Sequence, residues 1–154
     1  PFCSPHLTSK KWLYYNDLIS IINNKLENKF KVVVAPGPGE IKEASSINAL
    51  CILDNGKALD ISQLAALIKD SSFVVANDTG PAHMSAHLGS KGIALFGEHT
   101  TAHKVSIDRE NFKAIQVTDL KKLSAQKVFE KLILSLDWLN KNKYYSSISV
   151  TQYT

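Results

Sequence analysis

The 154 residues predict an α/β domain built on a parallel sheet with helices on both of its faces. Apolar runs of strand length alternate along the chain with amphipathic helical patterns, the order that winds a parallel sheet. The runs are mostly continuous rather than alternating in polarity, which suits strands covered on both sides. The first of them also ends in a Pro-Gly-Pro-Gly turn, as a buried strand must when it reaches the sheet rim.

In chain order, Pro1-Phe2-Cys3-Ser4 reads as the end of a strand whose beginning is missing, so the chain is expected to be an excised domain. Tyr14, Leu18, Ile21, Ile22 and Leu26 recur at helical spacing and mark the first helix. Residues 30–35 form a β-branched run delivered into Pro36-Gly37-Pro38-Gly39, and further strands are expected at 49–53, 72–76, 92–96 and 112–117. Asp60 precedes the stripe of Ile61, Leu64, Ala65, Leu67 and Ile68, and Gln63 follows it at the spacing of a capping box, in which two orphan amides are satisfied reciprocally. Val128, Leu132 and Leu136 make a last stripe behind Ser124 as N-cap, giving a closing helix to about residue 139. One domain is therefore expected over 1–139, with a polar, aperiodic tail at 140–154.

Composition narrows the classes of function. No segment approaches the roughly 18 consecutive apolar residues of a membrane span. Cys3 and Cys51 are too few for a disulfide framework or a metal site, and no signal-peptide pattern is present, so a reducing, cytoplasmic setting is expected. The net charge of +4 comes from 18 basic and 14 acidic residues, an excess that attracts phosphates. Its lysines are scattered without aromatic interleaving, zinc-finger spacing or an RNP motif, so nucleic acid is not an expected partner.

The segment after the third predicted strand carries the chemistry. Phe73-Val74-Val75-Ala76 runs into Asn77-Asp78-Thr79-Gly80-Pro81-Ala82-His83, a strand, a polar turn, and a helix with proline near its first position. Ligands of parallel sheets bind outside the carboxyl ends of the strands, and a helix N-terminus there offers free amides and the positive end of a dipole. A diphosphate is the natural guest. Thr79 and Gly80 can bring amides against its oxygens, Asp78 or Thr79 can cap the helix, and His83 lies in the first turn. The same residues also make a good helix start for purely local reasons, and His83 could be merely solvated there.

With these residues in view, the chain resembles the C-terminal domain of the ADP-heptose-dependent heptosyltransferases of lipopolysaccharide core synthesis, glycosyltransferase family nine. The likeness runs from about residue 10 to 136. It rests on Lys10-Lys11-Trp12, on the segment Asp60 to Ile68, and above all on Val74 to Gly89 followed by Ala94-Leu95-Phe96-Gly97. It implies a GT-B architecture of two Rossmann-like domains, of which this chain is the nucleotide-sugar half and the missing N-terminal half holds the acceptor. Asp78, Thr79, Gly80 and His83 match positions around the donor diphosphate, and Lys10 matches the lysine that neutralises it. Glu40 aligns with an acidic residue near the nucleoside, and Thr8 and Ser9 fall near phosphate contacts, although Thr8 and Ser9 could equally cap the following helix and Glu40 could be a plain loop residue.

The reaction implied is an inverting transfer without metal or other cofactor, in which Lys10 and His83 stabilise the leaving diphosphate and the general base belongs to the absent domain. The implied partners are ADP-heptose and a glycan or glycolipid acceptor, with peripheral contact at the inner face of a membrane. The chain departs from the family pattern at Leu13, where relatives usually have proline, and over Phe96 to Lys104, which replaces a Phe-Gly-Pro-Thr loop and leaves the sugar open. Other readings are a transferase using a UDP- or GDP-sugar and a non-catalytic nucleotide-binding module. The pairs His83/His87 and His99/His103 have the i, i+4 spacing of half a metal site, without the adjacent glutamate of a metalloprotease helix. Pro36-Gly37-Pro38-Gly39 lacks the full dinucleotide fingerprint.

Overall fold

Helices and parallel strands alternate through the computed structural model, which describes residues 2, 8–98 and 107–142. A 3-10 turn, Thr8–Lys10, leads into α1 (Tyr15–Lys25), β1 (Val33–Val34), α2 (Ile41–Ala44) and β2 (Leu50–Cys51). Then come α3 (Ile61–Asp70), β3 (Val74–Asn77), α4 (Gly80–His87), β4 (Gly92–Phe96), β5 (Phe112–Gln116), a second 3-10 turn at Leu120–Lys122, and α5 (Ala125–Asn142). The five strands expected between residues 30 and 117 are present and pair in parallel, while residues 1, 3 and 4 of the expected strand end at Pro1-Phe2-Cys3-Ser4 lie outside the described residues. The short helix α2 was not legible beforehand. The closing helix runs to Asn142, and residues 143–154 of the expected tail lie outside the described residues.

Hydrogen bonds divide the strands into two ladders, β1-β2 and β3-β4-β5. The second has β4 at its centre, with Val74 opposite Gly92 on one side and Gly92 opposite Phe112 on the other. All five residues of β4 are buried, which is why Gly92-Ile93-Ala94-Leu95-Phe96 has no polar alternation. β1 and β2 are shorter than their apolar runs because the chain enters Pro36-Gly37 at once, and Leu50, on β2, is 48% exposed.

Alternation along β4 separates two packing layers. Ile93 and Leu95 join Trp12, Tyr15, Leu18 and Ile22 from the α1 region and Leu123, Val128, Phe129 and Leu132 from the α5 region. Ala94 and Phe96 face the other way, toward Ala76, Ile107, Phe112 and the α4 residues Ala82 and Ala86. Alanines on both surfaces let α4 lie close against β3 and β4, which brings its N-terminus to the strand ends. At its other end Gly89, at φ +71°, forms a Schellman cap: Ser90 N–H donates to Ser85 C=O at 3.0 Å and Gly89 N–H to Ala86 C=O at 3.2 Å.

The capping box of α3 forms as its spacing requires. Gln63 N–H donates to Asp60 Oδ1 at 2.8 Å, and Asp60 N–H donates to Gln63 Oε1 at 2.9 Å. Asp60→Ala is therefore expected to cost about 1 kcal/mol of unfolding free energy, read as a lower urea midpoint at unchanged slope. At α5, Ser124 Oγ accepts from Lys127 N–H at 3.3 Å, the expected cap.

Candidate nucleotide-diphosphate site

β3 is a β-branched strand whose last two residues, Ala76 and Asn77, are buried, and the chain then turns through Asp78 into α4. Asp78 lies at that turn with only 4% of its side chain exposed. A carboxylate so desolvated needs compensation. Its partners include Lys10, with Nζ 2.8 Å from Oδ2, and His83, with Nε2 3.3 Å from Oδ1. Lys10 comes from the 3-10 turn 68 residues earlier, and His83 from the first turn of α4. Both side chains remain reachable, with exposures of 21% for Lys10 and 34% for His83.

Thr79 is the N-cap of α4, with extended backbone. Its hydroxyl does not cap the helix but donates to Asn77 C=O at 3.3 Å. The amides of Ala82 and His83 close on Thr79 C=O, and Pro81 has no N–H. Thr79 and Gly80 thus carry the amides that helix geometry leaves without an intrahelical acceptor. The resulting arrangement sets an ammonium, an imidazole and a helix N-terminus around one buried carboxylate. It suits an anion with several oxygens, because an ammonium with one donor on Asp78 has two more to offer.

The other anticipated residues are placed differently. Ser9 is exposed beside Lys10, and Thr8 lies in the same turn, its side chain outside the described residues. Glu40 turns back on its own loop: Gly37 N–H donates to Glu40 Oε2 at 2.7 Å. Among the described residues no recorded hydrogen bond or ion pair joins Glu40 to the Asp78 cluster. The loop is nevertheless tied to the Lys10 segment. Lys11 pairs with Glu43, Asn16 Nδ2 donates to Ser46 C=O at 2.8 Å, and Asn48 N–H donates to Asn16 Oδ1 at 2.8 Å. A cavity of about 170 Å³ lies between these segments, lined in part by Lys11, Trp12, Asn16 and Glu43.

Asn77 is the residue that reading the motif did not single out. It is 1% exposed, and its Oδ1 accepts from Trp12 N–H at 3.3 Å and from the Tyr15 hydroxyl at 3.0 Å. The only signal in the sequence is an amide closing an otherwise apolar strand. The His83/His87 pair has other work: His87 Nδ1 lies 2.8 Å from His83 C=O and its Nε2 3.1 Å from Arg109 Nη2. His99, His103 and the loop after Glu98 to residue 106 lie outside the described residues. No helix of the described residues is long and apolar enough to cross a membrane.

Comparison with known proteins agrees with this architecture. The sequence family described as glycosyltransferase family 9 (heptosyltransferase) matches residues 3–133. The lipopolysaccharide core heptosyltransferase OpsX of Haemophilus influenzae is 29% identical over 143 residues, covering 87% of this chain and 39% of that protein. Among solved structures, E. coli heptosyltransferase WaaC with ADP superimposes with a TM-score of 0.70 at 20% identity, over 82% of this chain and 40% of the other. E. coli ADP-heptose lps heptosyltransferase II gives 0.71 at 19% identity, over 90% and 45%. The chain thus spans about two fifths of the length of OpsX and WaaC.

Proposed function

This chain belongs to glycosyltransferase family 9, the heptosyltransferase family, and from that premise we propose that it is the donor-binding domain of an inverting transferase that moves heptose from ADP-heptose to a lipopolysaccharide-core or related glycan acceptor. The observation that supports this most directly is the Lys10–Asp78–His83 cluster at the N-terminus of α4. Two solved structures of one similar protein, E. coli WaaC with ADP and with ADP-2-deoxy-2-fluoro heptose, carry ligands of this chemistry.

In the proposed reaction the acceptor hydroxyl attacks the anomeric carbon, the bond from that carbon to the diphosphate oxygen breaks, and the pair leaves as negative charge on ADP. Lys10, His83 and the amides of Thr79 and Gly80 oppose that charge. The dipole contributes only about 0.3–1 kcal/mol at an exposed terminus and up to about 2 when partly buried, so the ammonium is expected to dominate. The base that accepts the acceptor proton is assigned to a second domain, so this chain alone should bind donor without turnover. A lipid-linked acceptor would bring the enzyme to the inner face of a membrane by peripheral contact, to which the +4 charge is suited.

Calorimetric titration with ADP, UDP and GDP, in chelator, tests the proposal. ADP should bind best, and Lys10→Ala should weaken it roughly 10- to 150-fold, the equivalent of losing a hydrogen bond to a charged group at about 1.5–3 kcal/mol. A UDP or GDP preference would discard ADP-heptose as donor. A folded chain that binds none of the three would remove the donor site altogether.

A further inference from the structure

We infer that Asn77 is a positioning residue for the diphosphate site: its buried carboxamide ties the Lys10-Lys11-Trp12 segment to the end of β3 and thereby sets where the Lys10 ammonium stands. The inference rests on the donor-site proposal above.

Asn77 is the last residue of β3, directly before Asp78, and is almost wholly buried. Its side-chain oxygen has two lone pairs and receives two donors, the Trp12 amide and the Tyr15 hydroxyl. These donors stand 65 and 62 residues away in sequence, so the bonds join segments that nothing local holds together. Trp12 is anchored one residue upstream of Asp78, and Lys10, two residues before Trp12, pairs with Asp78 itself. The two attachments form a short closed circuit: β3 to Asn77, across to Trp12, back along the chain to Lys10, and across again to Asp78. A lysine has a flexible four-carbon stem, so an ammonium is placed reproducibly only if its backbone is fixed. Fixing it before the diphosphate arrives lowers the ordering cost of binding.

The Trp12 amide could be satisfied without any effect on nucleotide binding, and a double-mutant cycle separates that role from positioning. The measurement is ADP affinity of the chain as it stands and of Asn77→Ala, Lys10→Ala, the double variant and Leu132→Ala. Leu132 packs in the same buried layer as Trp12 and Tyr15, but its side chain makes no hydrogen bond, so it reports destabilisation of that layer with the tie's hydrogen bonds intact. Asn77→Ala should weaken ADP on the order of tenfold, and the double variant should bind no more weakly than Lys10→Ala alone. Leu132→Ala should lower the unfolding midpoint with unchanged affinity. Amide hydrogen exchange gives a readout that needs no nucleotide: the Trp12 N–H should exchange at least about tenfold faster in Asn77→Ala. If that variant does not fold, Asn77→Ser takes its place, its hydroxyl being too short to reach Trp12. Losses that multiply in the double variant, or unchanged Trp12 exchange, overturn the inference while leaving the donor site standing. An unaltered chain that binds no nucleoside diphosphate overturns the donor site first, and the inference with it.

Discussion

Trp12→Ala is expected to remove about 3–5 kcal/mol of unfolding free energy, the largest effect foreseen for any single substitution in this domain. The indole is 1% exposed and stands edge-on to Tyr15, with ring centroids 4.9 Å apart at 79°, and to Tyr14 at 5.9 Å and 70°. Its Nε1–H donates to Leu123 C=O at 2.7 Å, bridging the start of the chain to the segment that leads into α5. Truncation would open a cavity among Leu18, Ile93 and Leu95's neighbours and leave a buried carbonyl without its donor. Against a typical domain stability of about 5–15 kcal/mol, that loss is a large fraction of the whole. Trp12→Phe keeps the six-membered part of the ring and loses the rest of the indole with its N–H bond, so it should cost less, about 1–3 kcal/mol. Urea denaturation followed by circular dichroism measures both; equal midpoints for the two variants would mean that the cavity does not matter as described, and a Trp12→Phe midpoint equal to that of the unaltered chain would mean the same of the bond.

Gly92→Ala should cost about 1–3 kcal/mol or more, by overpacking rather than by cavity formation. A Cβ at Gly92 would meet Val74 C=O at 2.4 Å and the Phe112 ring at 2.5 Å and 2.9 Å. Gly92 pairs with Val74 on one side and Phe112 on the other, so the crowding comes from both neighbouring strands. The carbonyl belongs to the ladder and has no rotamer to escape into, so the strands must part or Phe112 must leave its place in the alanine-rich layer. Gly39 is the control, with open space where its Cβ would go, and Gly39→Ala is expected to stay within about 0.5 kcal/mol. Comparable denaturation midpoints for the two alanine variants would contradict this picture.

Much of this is legible in the amino-acid sequence. β4 could be read because burial on both faces imposes an unbroken apolar run, and the Asp60/Gln63 box because its two bonds need only a spacing of three residues. The Asp78–His83 turn was legible for the same local reason. The four-residue helix α2 was not, since so short a helix shows barely one turn of periodicity. Nor was the Asp54-Asn55-Gly56-Lys57 turn, although Asn55 and Gly56, at φ +47° and +78°, follow a common pattern of tight turns. The resemblance leaves Glu40 either near a nucleoside or as a plain loop residue; its bond to the Gly37 amide depends on how the Pro36–Gly39 loop folds, and no pattern of residue types states that.

By itself the sequence determined the order of strands and helices, the two-faced burial of the central strand, and the helix start that offers amides to an anion. Each of these depends on residues within one or two turns of one another, where period and capping chemistry act directly. Tertiary structure alone decided that Lys10 meets Asp78, that Asn77 receives Trp12 and Tyr15, and that hydrogen bonds part the strands into two ladders. The Lys10 and Asn77 contacts join segments more than 60 residues apart, and they arise because a buried carboxylate and a buried carboxamide must find donors wherever the packed core brings them within about 3 Å.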